Sequence, residues 1–210
     1  INNVEYKAHI YMIIIEKGFT KSLFGELSEI DAWQKFENKY PGVSEWLKPF
    51  EVKAKKRTDK GDYWWELRAC DYYNHFKKPK IMYQVFQVTP CFIYDEEGLF
   101  CNNSMWILPT DNKSLLGVLN SKMGWWLITK YCTQIQNGCQ IIWKYFGQIP
   151  VPDTTKVPEL ESIVNQMLQL KSNASKIENS FLSLLQSKFT IDKLTKKLQN
   201  WHELDYAAFL

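Results

Sequence analysis

The sequence predicts an α+β fold that is followed by a helical arm. Apolar, β-branched segments lie between residues 80 and 108 and are separated by turn-forming residues, as in antiparallel strands. Segments 28–38 and 114–131 instead repeat their apolar residues at helical spacing. We therefore expect residues 1–152 to form a mixed α/β domain and residues 153–210 to form a coiled-coil-like arm.

The first 78 residues mix short helices with loops. A capping serine begins the predicted helix Ser28–Asn38, and Val43–Lys48 is expected to form a second, shorter helix. Ile10–Ile15 is apolar and β-branched, which predicts a buried strand. Lys53–Gly61 is polar and basic, which predicts a loop, and Cys70–Phe76 is expected to form a helical turn.

Residues 80–131 supply the predicted strands and the main helix. Lys80–Val88 and Cys91–Asp95 are strand-like, and Leu99–Leu108 is expected to return from a turn as the second strand of a hairpin. Ser114–Tyr131 is predicted to be one helix. Its apolar side consists of Leu115, Leu116, Leu119, Met123, Trp126 and Leu127.

A tight turn and a heptad pattern complete the chain. Thr133–Ile142 alternates polar and apolar residues around Asn137–Gly138, which is a tight-turn signal. Beyond Ile149–Pro152, apolar residues at alternating spacings of three and four form an a/d seam. The seam comprises Leu160, Ile163, Met167, Leu170, Ala174, Ile177, Phe181 and Leu184. A shorter repeat from Ile191 to Trp201 predicts a second helix. An ordinary amphipathic helix on a globular core is the alternative.

The positive charge of the chain concentrates in its first 150 residues. The chain has 26 basic and 23 acidic residues, but residues 112–152 contain four lysines and no acidic residue. From Val151 onward, seven lysines balance seven acidic residues. A basic face of this kind suits an anionic polymer. Solvated surface lysines are the alternative.

The five cysteines indicate reduced thiols in a cytoplasmic protein. They form no CxxC pair, and no secretory signal precedes them. The longest purely apolar run, Met12–Ile15, is too short to cross a bilayer, so we expect no membrane partner. The chain opens at Ile1 in the middle of a pattern, which indicates a fragment of a longer protein.

The sequence contains no recognisable catalytic motif. It has neither a glycine-rich phosphate loop nor an HExxH motif, and His9, His75 and His202 are scattered. No group of acidic residues converges as a metal-dependent nuclease would require. We therefore expect this fragment alone to have no catalytic residue, no metal site and no bound cofactor. An unrecognised nuclease domain is the alternative.

An aromatic and basic block at Asp59–Tyr83 is the most specific feature of the chain. With the motifs on either side, it resembles the TaqI-like C-terminal specificity domain, the target-recognition domain of adenine-specific DNA methyltransferases and fused restriction–modification enzymes. The matching stretches are Lys17–Gly18–Phe19, Tyr40–Pro41, Leu47–Lys48–Pro49–Phe50, Arg57, Asp59–Lys60–Gly61, Trp64–Trp65–Glu66–Leu67–Arg68, Tyr72–Tyr73 to Phe76, Lys78–Pro79–Lys80–Ile81, Leu116–Gly117–Val118–Leu119–Asn120–Ser121 and Ile149–Pro150–Val151–Pro152.

The resemblance implies a type II restriction–modification protein with an adenine methyltransferase domain upstream in the same chain. S-adenosylmethionine, and Mg²⁺ if a nuclease is also present, would bind in those upstream domains. Trp64–Trp65 and Lys78–Ile81 would be scaffold. Related domains often carry an arginine in a glycine-rich turn, whereas this chain has Gln134–Gln140, which puts a guanine contact there in doubt. Amide side chains suit adenine instead.

We expect residues 1–150 to bind double-stranded DNA in the major groove and to hold a target adenine for flipping. The phosphate-binding candidates are Lys55, Lys56, Arg57, Lys60, Lys122 and Lys144. The base-reading candidates are Gln84, Gln87, Gln134, Gln136, Asn137 and Gln140. For each residue alone, an exposed polar side chain is the alternative. For the whole chain, the alternative is a helical protein-interaction module without direct DNA readout.

Overall fold

The computed structural model of the chain describes residues 12–189, 191–205 and 207. Helices account for 52% and antiparallel sheets for 12% of the described residues, which confirms the predicted α+β class. The described residues divide into two compact units. The helical unit contains residues 12–78 and 97–100, and the sheet unit contains residues 79–96 and those from 101 onward. The predicted boundary at residue 152 lies within the sheet unit and stays a prediction.

Short helices make up the helical unit. They are α1 (Phe19–Phe24), α2 (Glu29–Lys39), α3 (Pro41–Leu47), α4 (Glu51–Lys55) and α5 (Tyr73–Phe76). The Ser28 hydroxyl accepts a hydrogen bond from the Asp31 N–H at 3.2 Å, which confirms the predicted cap of α2. Pro41 begins α3, where its missing N–H costs no helical hydrogen bond.

Two segments of the helical unit differ from the sequence-based expectation. The predicted loop Lys53–Gly61 is wrong at its start, because α4 follows directly on a 3-10 helix and continues through Lys55. Of the predicted strand Ile10–Ile15, residues 10 and 11 lie outside the described residues, and residues 12–15 are not in a strand. Ile15 is nevertheless buried, and its carbonyl accepts the Leu67 N–H at 2.7 Å.

An aromatic cluster forms the core of the helical unit. The ring centroids of Trp33 and Trp64 lie 4.6 Å apart, and the rings of Tyr63 and Trp65 stack with centroids 4.8 Å apart. All four side chains are buried. Such rings exclude large apolar areas from water, so they stabilise a small unit strongly. Trp64–Trp65 therefore belongs to the scaffold, as predicted.

A buried carboxylate joins separate backbone segments of the helical unit. The Glu66 side chain has no exposed surface. Its two oxygens accept the N–H groups of Gly18 at 3.1 Å, Thr20 at 2.9 Å and Asp62 at 2.9 Å. Because charge-assisted hydrogen bonds are the strong ones, these contacts offset the cost of removing the carboxylate from water.

Replacement of Glu66 by alanine should lower the free energy of unfolding by about 3 kcal/mol, because one buried and two partly buried N–H groups lose their acceptor. Urea unfolding followed by tryptophan fluorescence measures this change. Glu45→Ala, at an exposed position of α3, is the matched control and should stay within about 0.5 kcal/mol of the wild type. Equal stability of the two variants would contradict the anchoring role of Glu66.

The sheet unit contains two antiparallel sheets. Its strands are β1 (Lys80–Gln84), β2 (Phe86–Gln87), β3 (Phe92–Asp95), β4 (Met105–Pro109), β5 (Thr133–Ile135) and β6 (Gly138–Gln140). The strand order is β3-β1-β4 in one sheet and β2-β6-β5 in the other. The predicted hairpin of β3 with β4 is wrong, because both strands pair with β1. β1 is buried from Lys80 to Tyr83. Because β1 is the central strand, its backbone groups form hydrogen bonds with β3 on one side and β4 on the other.

An ion pair is enclosed between β1 and β3. Lys80 and Asp95 are register partners, the Lys80 ammonium pairs with the Asp95 carboxylate, and both side chains are buried. A buried charge requires such a partner. Lys80 is therefore part of the scaffold of the sheet unit and does not face a phosphate backbone.

A helix break at Ser121 separates two helices where the sequence predicts one. The helices of the sheet unit are α6 (Lys113–Asn120), α7 (Lys122–Tyr131), α8 (Trp143–Phe146), α9 (Pro158–Phe189) and α10 (Lys196–Gln199). The Ser121 N–H donates to the Val118 carbonyl at 3.1 Å, which ends α6. The Ser121 hydroxyl accepts the Gly124 N–H at 2.9 Å, which begins α7.

The break changes which apolar side chains are buried. Leu116 and Leu119 of α6 and Ile128 of α7 lie in the core. Met123 and Trp126, which the sequence places on the same apolar side as Leu116, are 65% and 54% exposed. Because α7 does not continue the rotation of α6, one helical periodicity does not describe both helices.

The first turns of the long helix α9 pack against α6 within the sheet unit. A Cβ added at Gly117 of α6 would lie 2.5 Å from a methyl group of Val164, so the missing side chain at Gly117 lets the two helices approach closely. Farther along, the rings of Phe181 and Trp201 lie 4.2 Å apart, so the segment after α9 folds back on it. The predicted second helix is shorter than expected, and consists of α10 and the 3-10 helix Trp201–Glu203.

Candidate nucleic-acid interface

The hairpin formed by β5 and β6 carries most of the predicted base-reading residues. Ile135 pairs with Gly138, so Gln136 and Asn137 form the two-residue turn, and both are exposed. Gln136 has φ 53°, the single positive value at a non-glycine position among the described residues. A left-handed backbone costs a residue with a Cβ about 1–2 kcal/mol. Strain of this kind at an exposed tip is a reason to suspect function.

Gly138 has a different role from the one the sequence suggests. The pattern predicts Asn137–Gly138 as the turn, but Gly138 is the first residue of β6. A Cβ at this position would lie 2.5 Å from the Gln87 carbonyl oxygen and 2.8 Å from the Phe86 ring. The absence of a side chain at Gly138 therefore lets β6 approach β2, and the left-handed turn position falls to Gln136.

The register of the second sheet separates the predicted glutamines by face. Gln134 pairs with Cys139, and Cys139 pairs with Gln87, so these three share one face. Gln140 lies on the opposite face, because successive side chains of a strand alternate. Gln87 is wrong as a base-reading residue, since it is buried. Its amide donates to the carbonyls of Gln84 and Cys91 and accepts the Cys91 N–H.

The other amide candidates keep exposed or partly exposed positions. Gln84 is exposed at the end of β1, and Gln140 is half-buried on β6. Gln134 is exposed, with its amide donating to the Thr129 carbonyl at 3.0 Å, which ties the start of the hairpin to the end of α7. Gln136 and Asn137 are exposed at the tip, outside the paired positions of the two strands.

Basic side chains surround this hairpin in sequence and lie on the helices of the same unit. Lys122 is the first residue of α7 and is exposed, and Lys144 is exposed on α8. The Lys130 ammonium lies 5.7 Å from the centroid of the Trp126 ring, and the Lys144 ammonium lies 5.5 Å from that of Tyr145. These lysines belong to the acid-free stretch 112–152, so nothing in that stretch neutralises them.

The remaining phosphate-binding candidates lie in the helical unit, where three of them have internal partners. Lys55 pairs with Glu29 at 2.9 Å and with Glu51 at 2.8 Å, and its hydrogen bond to Glu51 raises the Lys55 pKa. The Lys60 ammonium donates to the Lys55 carbonyl at 2.8 Å. Lys56 is exposed and stays a prediction.

Arg57 is a structural residue of the helical unit. Its guanidinium donates to the carbonyl oxygens of Trp64 at 3.1 Å and Glu66 at 2.8 Å. These bonds hold the backbone beside the aromatic core. Nη2 of Arg57 therefore serves the fold, and the phosphate contact predicted for this residue stays a prediction.

Three exposed, large apolar side chains of the sheet unit were not predicted from the sequence. Met123 and Trp126 on α7 and Trp143 on α8 are each more than half exposed. The available signal was Ser121, a helix-capping residue type in the middle of an apparently continuous helix.

The thiols of the sheet unit are scaffold groups. Cys132 and Cys139 are buried, and burial raises the pKa of the Cys132 thiol to about 11. In the part of the chain that the structure describes, no three His, Cys, Asp or Glu side chains cluster as a metal site would require. No helix among the described residues is both long and apolar enough to span a membrane.

A known protein family matches more than half of this chain. Residues 34–151, more than half of the 210 residues, match the TaqI-like C-terminal specificity domain. The chain belongs to this specificity-domain family. The resemblance noted from the sequence is therefore confirmed. The match contains the β5–β6 hairpin, α7, α8 and the core residues Tyr63, Trp64 and Trp65 of the helical unit.

A separate family covers the C-terminal part of the chain. Residues 153–210, which include α9 and α10, match a family described as a domain of unknown function, DUF8810. No curated protein matched the chain. A TaqI-like specificity domain is a recognition part of a restriction–modification enzyme and is not itself catalytic. The coarse functional class is thus established for this specificity domain.

The left-handed backbone at Gln136 predicts a defined order of stability among variants of the specificity domain. Gln136→Val should lower the free energy of unfolding by about 1 kcal/mol, because β-branched side chains are poorly tolerated at positive φ. Gln136→Asn should cost little, since asparagine adopts this region readily. Thermal unfolding measures both variants. A valine variant as stable as the asparagine variant would show that the turn does not hold Gln136 at positive φ.

Proposed function

We propose that this chain recognises a specific sequence in double-stranded DNA and that the β5–β6 hairpin is its reading element. The exposed, strained tip at Gln136–Asn137 within the acid-free stretch 112–152 supports this most directly. A two-stranded β-ribbon fits the major groove of B-DNA. Glutamine and asparagine amides can each make two hydrogen bonds to the edge of adenine.

The lysines of the sheet unit suit contacts to the phosphate backbone. Lys122 stands at the first position of a ten-residue helix, where the helix dipole adds to its own positive charge. Lys144 is exposed on the next helix along the chain. Phosphate contacts set the register of a protein on the duplex, and base contacts then read the sequence. These lysines would perform the first task, and Gln136, Asn137 and Gln140 would perform the second.

The specificity domain would serve a catalytic domain in the same protein. We propose that an S-adenosylmethionine-dependent adenine methyltransferase domain lies upstream and acts on a base flipped out of the duplex. The membership of residues 34–151 in a restriction–modification specificity family supports this assignment. The residues described above would bind and orient the DNA, and the methyl transfer would take place in the other domain.

Charge reversal at Lys122 and Lys144 should weaken the binding of duplex DNA of every sequence alike. Each lost phosphate contact should reduce the slope of log K against log salt by about one. Fluorescence anisotropy at several salt concentrations measures both effects. Lys35→Glu, at an exposed position of α2, provides the matched charge control. Unchanged salt slopes for Lys122→Glu and Lys144→Glu would refute the proposed phosphate face.

Gln136→Ala should relax the sequence preference at one base pair, with little change in binding to unrelated DNA. A bidentate amide contact contributes about 1–3 kcal/mol of discrimination. Methylation sites mapped with the full-length methyltransferase report the preference, and Gln34→Ala on α2 is the exposed-glutamine control. A site preference identical to that of the wild type would remove Gln136 from the reading set.

A second candidate function is protein docking by the helical arm. Ile163, Met167, Leu170, Ile177 and Leu184 of α9 are all exposed and follow the predicted a/d seam. An exposed apolar stripe is typical of a helix that packs against a partner. Sedimentation analysis over a range of concentrations, with and without DNA, separates the candidates. Oligomerisation without DNA binding would favour the docking function.

A further inference from the structure

The solvent-facing side of α7 combines an aromatic ring with lysines one turn away on either side. We define the α7 outer face as Lys122, Met123, Trp126 and Lys130, all of which are exposed. Lys122, Trp126 and Lys130 are spaced i, i+4 and i+8, so they lie on one side of the helix, about 6 Å apart along its axis. The Lys130 ammonium stands over the Trp126 ring at 5.7 Å from the centroid.

The exposure of this face is unusual for its composition. Trp126 and Met123 are 54% and 65% exposed, although both are large apolar side chains. Neighbouring apolar residues of the same helix, such as Ile128, are buried in the core. Exposed apolar surface that is contiguous and bordered by charge marks binding sites more often than chance. The helix break at Ser121 is what turns these side chains outward.

The chemistry of the face narrows the ligand class. Aromatic rings combined with lysines bind single-stranded nucleic acids, because the ring stacks on a base while the lysines contact phosphates. No acidic residue occurs between residues 112 and 152, so the face is complementary in charge to a polyanion. A fully paired duplex keeps its base faces stacked and offers none of them to Trp126.

We infer that the α7 outer face binds an unstacked base of DNA, with Trp126 as the stacking platform and Lys122 and Lys130 on the adjoining phosphates. This inference rests on the proposed DNA-binding function and extends it to a second structural state of the DNA. An unstacked base arises when the duplex opens around a flipped nucleotide. Stacking on Trp126 would stabilise the opened duplex relative to the closed one.

Trp46 offers an internal comparison. It is 66% exposed on α3, so its ring is at least as accessible as that of Trp126. The residue before it is Glu45, which is also exposed, and neither residue four positions away is a lysine. Exposure of an indole ring is therefore shared by the two sites, and the flanking cations distinguish them. Trp46→Ala consequently serves as the matched control.

The test measures binding of the full 210-residue chain to labelled DNA by fluorescence anisotropy. The probes are an oligothymidylate, a fully paired duplex, the same duplex with one unpaired base, and an oligouridylate. Trp126→Ala should bind the oligothymidylate and the interrupted duplex about tenfold more weakly than the wild type. Trp126→Phe should retain most of the affinity, because a smaller ring still stacks. Trp46→Ala should bind all probes as the wild type does.

These measurements separate the stacking role of Trp126 from the proposed recognition of duplex DNA. Unchanged oligothymidylate binding by Trp126→Ala would overturn the stacking role, whatever happens at the duplex. Equal weakening of the paired and interrupted duplexes would also overturn it, because Trp126 would then contact ordinary duplex DNA. Tighter binding of the oligouridylate than of the oligothymidylate would contradict the assignment to DNA. The salt slopes of the lysine variants on paired duplex test the proposed function independently.

Discussion

The backbone between Lys80 and Gln87 is the constraint on which the sheet unit depends, because one stretch of chain serves both sheets. β1 pairs with β3 and β4, and two residues later β2 pairs with β6. Between them, the Val85 N–H donates to the Ser104 carbonyl at 3.1 Å, and the Val85 carbonyl accepts the Ile141 N–H at 2.6 Å. The β5–β6 hairpin is therefore attached, through β2, to the same stretch of backbone that forms the central strand of the first sheet. A reading element needs this kind of rigid support.

The surfaces assigned to DNA arise from local departures from regular structure. At Ser121 a cap replaces helix continuation, and Trp126 is exposed as a result. At Gln136 a residue with a side chain takes the left-handed position, while Gly138 is needed where β6 approaches β2. Both departures lie inside the stretch that matches the TaqI-like specificity family. Natural sequences tend to break local rules at sites of function, since stability elsewhere compensates for them.

Local signals predicted part of the fold and fewer of the site residues. The Ser28 cap, a tight turn within Thr133–Ile142 and the long helix α9 follow from patterns within a few turns of chain. The structure contains all three, with the turn one residue earlier than predicted. The pairing of β4 with β1 and not with β3 does not follow from any local pattern, because β4 is closer to β3 in sequence. Residue type likewise does not reveal whether a polar side chain is already used by the fold. Arg57 and Gln87 satisfy backbone groups, whereas Lys56 and Gln136 face solvent.

The sequence by itself determined the family and the fold class of this protein. The aromatic and basic block at Asp59–Tyr83 identifies the specificity domain because its tryptophans form a core whose residue types and spacing are demanding. Only the tertiary structure decided which of the amides and aromatic rings reach solvent. Side chains alternate along a strand and rotate around a helix, so the pairing register or one capping serine decides which of the following side chains are exposed. For that reason Gln87 is buried and Trp126 is exposed.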